Sequence, residues 1–182
     1  MKLNKININN SQKMFCDNRL SRIVMLIFGI LLVGYTSYRA YNIEFTYDES
    51  YSYLYFIKFG INEIIFMTMD DKLCLSNNHI LNTIFLKIFS SLPIKSLLLL
   101  RIHGIAAHII FLLVSYYILK RFTTHKSVLT LGFLVLNCNP FILDYFSIAR
   151  GYGLANSFTL LSFYCINELF LDLKNTRLIS IK

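Results

Sequence analysis

The chain has 182 residues, of which 55% are hydrophobic and 15% charged, with 18 Lys/Arg against 10 Asp/Glu for a net charge of +8. The charges are bunched between long apolar runs, which excludes an ordinary soluble domain with charge spread over its surface. It also excludes a basic nucleic-acid-binding face, because the Lys and Arg residues border the apolar runs.

Alternating ten-residue strands are absent, so helices are the way this chain satisfies its backbone in lipid. The fold class expected is an all-α membrane protein with about four transmembrane helices and interfacial helices in its first outer loop. Residues 1–22 form a basic N-terminus holding Lys2, Lys5, Lys13, Arg19 and Arg22 against one acid, Asp17. The first span covers 23–39. No small-residue cleavage site follows it, so it reads as an uncleaved anchor.

Residues 40–95 are mixed in character and form an outer loop. Two amphipathic pieces, around Tyr51–Met69 and Ile80–Ser91, are interrupted by Lys58, Glu63 and Lys87 and suit helices lying in the interface. Spans follow at 96–119, at 127–143 (ended by the breaker Asn137-Cys138-Asn139-Pro140) and, after a polar turn at 144–152, at 153–171. A basic tail, 172–182, closes the chain.

The segments 1–22, 120–126 and 171–182 hold 11 Lys/Arg in 41 residues, whereas 39–96 and 140–152 hold 6 in 71. Both termini are therefore expected on the cytoplasmic side. The first loop carries six acids, Glu44, Asp48, Glu49, Glu63, Asp70 and Asp71.

Three clusters fall on the outer side. In Tyr47-Asp48-Glu49-Ser50-Tyr51, two adjacent carboxylates stand near lipid, where their neutral forms are favoured, which suits a general base. The alternative reading is a solvated helix start with Asp48 or Ser50 as its N-cap. Ser76-Asn77-Asn78-His79 opens the second amphipathic piece and offers amide and imidazole donors at a helix start, a phosphate site or again a cap. In Ser147-Ile148-Ala149-Arg150-Gly151-Tyr152-Gly153, Arg150 can take a phosphate bidentately or anchor the span at the interface.

Arg101, His103, His108 and Glu168 fall within spans and are functional candidates for that reason. Arg101 is near a helix end and can snorkel, and the histidines can bond between helices. The five-residue offset of His103 and His108 does not put both on one helix face, so no metal site is expected. Cys16, Cys74, Cys138 and Cys165 show neither metal-ligand spacing nor a disulfide framework.

The ordered set Asp48-Glu49, Asn78-His79, Asn139-Pro140 and Ala149-Arg150-Gly151-Tyr152 resembles the N-terminal part of the GT-C membrane glycosyltransferases. The likeness is to bacterial members of the class that includes the dolichyl-phosphate-mannose protein mannosyltransferases and the lipid A aminoarabinose transferases. It covers essentially the whole chain and about a third of a typical member. Family members often carry His-Pro-Pro in the first loop, where this chain has His79-Ile80-Leu81.

The resemblance implies a location in the bacterial inner (cytoplasmic) membrane. It also implies transfer of a sugar from a polyprenyl-phosphate donor to a hydroxyl of a lipid, glycan or protein acceptor on the outer face. Asp48 matches the family's catalytic aspartate, with Glu49 beside it, while His79, Asn78 and Arg150 would contact the donor phosphate. No cofactor is called for, and a divalent cation is left open. The alternatives are a non-catalytic membrane fragment or assembly partner and, behind these, a transporter component, which would want polar groups on broken helices at the midplane.

Overall fold

The computed structural model describes the backbone of residues 3–68, 78–94 and 96–180, and the side chains of 19–68, 78–94 and 96–171. Asp70, Asp71, Cys74, Ser76 and Asn77 lie outside the described residues, as do the side chains of Cys16 and of the tail beyond Leu171.

The described residues are helical without a strand: α1 (Leu3–Asn42), α2 (Tyr47–Leu54), a 3-10 turn (Phe56–Lys58), α3 (Ile61–Phe66), α4 (Ile80–Ser90), α5 (Leu97–Phe122), α6 (Lys126–Asn137), α7 (Pro140–Ser147) and α8 (Gly151–Ser180). Among the described residues, three helical stretches are long and apolar enough to cross a bilayer, Arg19–Asn42, Leu97–Phe122 and Gly151–Leu171. The bent pair α6–α7 makes a fourth if it is one span.

The sequence expects a single helix over 127–143 and a turn over 144–152. The chain instead breaks within the expected span, bends by 56° and continues as helix to Ser147. The cause is local. Pro140 has no N–H to continue α6 but is well suited to a first helical position. Asn139 accepts from the Phe141 N–H and caps the new helix.

Ion pairs and hydroxyl contacts at both ends fix how these helices run. At one end the Ser21 and Thr130 hydroxyls are 2.9 Å apart, and Arg121 meets Glu168 at 2.8 Å. At the other end Arg39 meets Asp144 at 2.8 Å, and the Arg101 guanidinium donates to the Ala40 and Ile43 carbonyls at the end of α1. Successive long segments therefore alternate in direction.

α5 is the centre: half of its apolar window is buried, against 17% for α1 and 11% for α8. Its contacts are made close by small and polar residues, as in bundles whose association cannot draw on hydrophobicity alone. A methyl group on Gly104 would stand 2.9 Å from the Phe146 carbonyl oxygen of α7. Thr36 and His108 meet at 3.0 Å, with the His108 ring stacked on Phe146. Ser157 donates to the Ala107 carbonyl at 2.7 Å.

The short helices α2–α4 gather over the end where α1 finishes and α5 begins. The sequence expects one amphipathic piece over Tyr51–Met69. The chain breaks it into the end of α2, the 3-10 turn and α3, closed by Met67 in the left-handed conformation (φ 53°). Lys87 of α4 donates to the Ile57 and Phe59 carbonyls at 2.7 and 2.8 Å, occupying acceptors that the broken helix leaves open. Leu86, Leu100 and Ala149 pack with Phe45, Tyr53 and Phe89, fastening α4 to α5 and to the turn before α8.

Candidate active site

Asp48 and Glu49 are adjacent in the first turn of α2, and the helix puts them on different faces. Thr46 caps that turn: its hydroxyl accepts from the Glu49 N–H, and the Glu49 carboxylate accepts from the Thr46 N–H at 3.0 Å. This reciprocal box turns Glu49 inward, where it is fully buried. Arg101, also fully buried, grips it in a fork, Nε to Oε1 and Nη2 to Oε2, both at 2.8 Å. The Ala149 N–H donates to the same Oε1.

Glu49 is thus a three-way clamp between α2, α5 and the turn 148–150. Its two oxygens together accept four hydrogen bonds, so both are fully engaged within the fold. The carboxylate pair in the sequence divides into a buried positioning residue, Glu49, and one surface acid, Asp48.

Asp48 faces the other way and is partly exposed. Its Oδ2 lies 3.1 Å from Nη1 of Arg150, whose side chain is 5% exposed. The contact is an ion pair without hydrogen-bond geometry, and Nη1 has no hydrogen-bond acceptor among the described residues. The guanidinium lies over the Tyr152 ring, 5.2 Å from its centroid, with Nη2 3.3 Å from the Tyr152 hydroxyl. His79 sets its ring edge against the same tyrosine, centroids 4.8 Å apart.

Gly151 permits this closeness. A methyl group there would stand 2.6 Å from the His79 Cβ, so the start of α8 touches the start of α4. Asp48, His79 and Arg150, far apart in the chain, are thereby brought together, each at the beginning of a helix: α2, α4 and α8. Three positive helix ends and a buried guanidinium converge around one carboxylate, an arrangement that favours anions. Burial lowers the pKa of His79, Arg150 lowers it further, and Asp48 opposes both. The imidazole is therefore held neutral, able to donate from one nitrogen and accept at the other.

The remaining candidates separate from this group. Asn78 turns into the interior and accepts from the Thr83 hydroxyl at 2.7 Å, bracing the start of α4. His103 bonds Asn82 at 2.7 Å and stacks with Phe85. His108 is engaged with Thr36, and Glu168 pairs with Arg121 at the opposite end of the bundle. Among the described residues no three His, Cys, Asp or Glu side chains gather as a metal site.

Sequence reasoning missed the structural weight of Arg101. An arginine four residues inside an apolar helix start is the available signal, and the snorkelling expected of it gives way to a buried ion pair. Tyr152, the surface against which Arg150 and His79 rest, is likewise not singled out by the sequence, although it belongs to the Arg150-Gly151-Tyr152 element.

Protein-family models, curated proteins and solved structures were compared with this chain, and none of them matches it.

Proposed function

We propose that this chain is the N-terminal portion of a polytopic glycosyltransferase that moves a sugar from a polyprenyl-phosphate donor to an acceptor hydroxyl at the outer membrane face. In this reading it crosses the bacterial inner membrane four times with its N-terminus in the cytoplasm. The distribution of Lys and Arg supports that orientation. The convergence of Asp48, His79 and Arg150 at three helix starts is the observation that carries the reading.

The chemistry follows from what each group can do. The Asp48 carboxylate takes the proton of the acceptor hydroxyl as that oxygen attacks the anomeric carbon. The bond from the anomeric carbon to the phosphate oxygen breaks, and its electron pair leaves with the polyprenyl phosphate. The buried Nη1 of Arg150 supplies a donor to the developing charge, and the neutral His79 supplies a second. The helix ends of α4 and α8 add fixed partial charge of the same sign. Before the donor binds, the ion pair with Arg150 holds the Asp48 carboxylate at the meeting point of the three helix starts.

The test is sugar transfer in membranes from a polyprenyl-phosphate sugar, with the chain in its native genetic context. Replacing Asp48→Asn removes the base while keeping shape, and transfer falls by roughly 100-fold or more. Undiminished transfer would overturn the assignment of Asp48.

A further inference from the structure

The break between α6 and α7 is the motif that the outer site does not use. Leu136 would bond its carbonyl to the N–H four residues on, but that residue is Pro140, which has none. Val135 would bond to Asn139, which has left the helix to cap α7. The flank is open: Val135 and Phe141 are 75% and 73% exposed, and Cys138, Asn139 and Pro140 between them are also exposed. α6 and α7 are 12 and 8 residues long, roughly 18 and 12 Å. A span made of both therefore has its break inside a hydrocarbon layer of about 30 Å.

Unbonded backbone facing lipid costs several kcal/mol per group and is tolerated only against protein or water. We infer that the open face Val135–Phe141 is the docking surface for a further membrane-spanning helix whose Ser, Thr, Asn or Gln side chain donates to the freed carbonyls. Val135 and Phe141 flank the break with apolar contact, and the small Cys138 side chain lets a neighbouring helix come close. This rests on α6–α7 lying in a bilayer and is independent of the sugar-transfer chemistry.

The experiment places a photoreactive benzoylphenylalanine at Phe141 in the full chain in native membranes, and the same probe at Phe163 on the outer face of α8. Phe163 is expected to give a phospholipid adduct, and its absence would refute the bilayer placement itself. At Phe141 the expected product is a covalent adduct to an apolar spanning segment containing Ser, Thr, Asn or Gln, identified by mass. Its yield should drop roughly threefold or more when that residue is made apolar. Pro140→Ala restores the missing N–H and should lower the yield likewise.

A phospholipid-only adduct at Phe141, or an adduct to a segment without such a donor, would overturn the inference. So would an adduct of the chain with a second copy of itself. Reaction of Cys138 with an impermeant cationic thiol reagent, the other cysteines replaced by serine, would instead put water at the break and equally overturn it.

Discussion

The Glu49 carboxylate accepts a hydrogen bond from the Ala149 N–H, and each of these residues is the immediate neighbour of a site residue, Asp48 on one side and Arg150 on the other. The spacing of the surface ion pair is therefore set by a buried contact one residue beneath it. Arg101 completes that contact from α5 with a forked ion pair. Removing one partner leaves an uncompensated charge in a dry interior, which costs about 3–5 kcal/mol.

Arg101→Met should accordingly shift the thermal unfolding transition in detergent down by many degrees. Glu49→Gln, which keeps the shape and some hydrogen bonds, should lose less. Replacing both partners with Leu and Met should be less damaging than Arg101→Met alone, because no charge is then stranded. Equal stability of Arg101→Met and wild type would refute the clamp.

A second expectation concerns acidity at the site. Burial and the neighbouring Arg150 hold the His79 pKa below its ordinary 6.5, with Asp48 pulling the other way. As pH falls through that ordinary value the unfolded chain binds a proton that folded His79 refuses, so ν in the unfolded state exceeds ν in the folded state. Stability therefore declines on acidification until the folded pKa is reached. Between about pH 7.5 and 5.5 the wild type should lose more thermal stability than His79→Asn. The neighbours give opposite signs: Arg150→Ala should raise the His79 titration midpoint and Asp48→Asn should lower it, as read from the pH dependence of carbethoxylation. Shifts in the same direction would refute the geometry.

What the sequence made legible is the chemistry at the ends of apolar runs. Asp48, His79 and Arg150 each stand where an apolar helix begins, and polar residues just outside such runs are conspicuous. The division of Asp48 from Glu49 was not legible, because neighbours in a helix point about 100° apart and only a partner 52 residues away decides which one turns inward. Thr36 and His108 pair in the same way, across a separation that one chain read in order does not display. The break at Pro140 was visible as a stop. That α7 resumes at once depends on Asn139 as its cap and on the Arg39–Asp144 ion pair that holds it against α1.

Orientation in the membrane makes a third prediction. Tyr47, 83% exposed, lies on the rim with Asp48, and Phe122, 65% exposed, lies at the other end beside Arg121. The bias of Lys and Arg towards 1–22 and 120–126 expects the Phe122 end to face the cytoplasm. In a background with the native cysteines replaced by serine, Tyr47→Cys should react with an impermeant maleimide added to intact cells. Phe122→Cys should react only after the membrane is opened. The reverse pattern would place the candidate site on the cytoplasmic face and remove an outer-face transferase from consideration.

The last prediction tests the closeness of the α4 and α8 starts. The His79 Cβ, Cγ and Nδ1 all lie within 3.0 Å of where a methyl group on Gly151 would stand. The crowded atoms include the Cβ, which a rotamer change cannot move, so the backbone at one helix start must shift. Overpacking of this kind costs about 1–3 kcal/mol. Separating the two starts also draws His79 off the Tyr152 ring and away from Arg150, so its pKa should return towards 6.5. Gly34→Ala serves as the comparison, because no atom lies within 4 Å of the added methyl there. Gly151→Ala should lower the unfolding temperature and raise the His79 titration midpoint, while Gly34→Ala, inside α1, should not lower the unfolding temperature and should leave the midpoint unchanged. A Gly151→Ala protein with the wild-type His79 midpoint would show that the two helix starts do not meet as described.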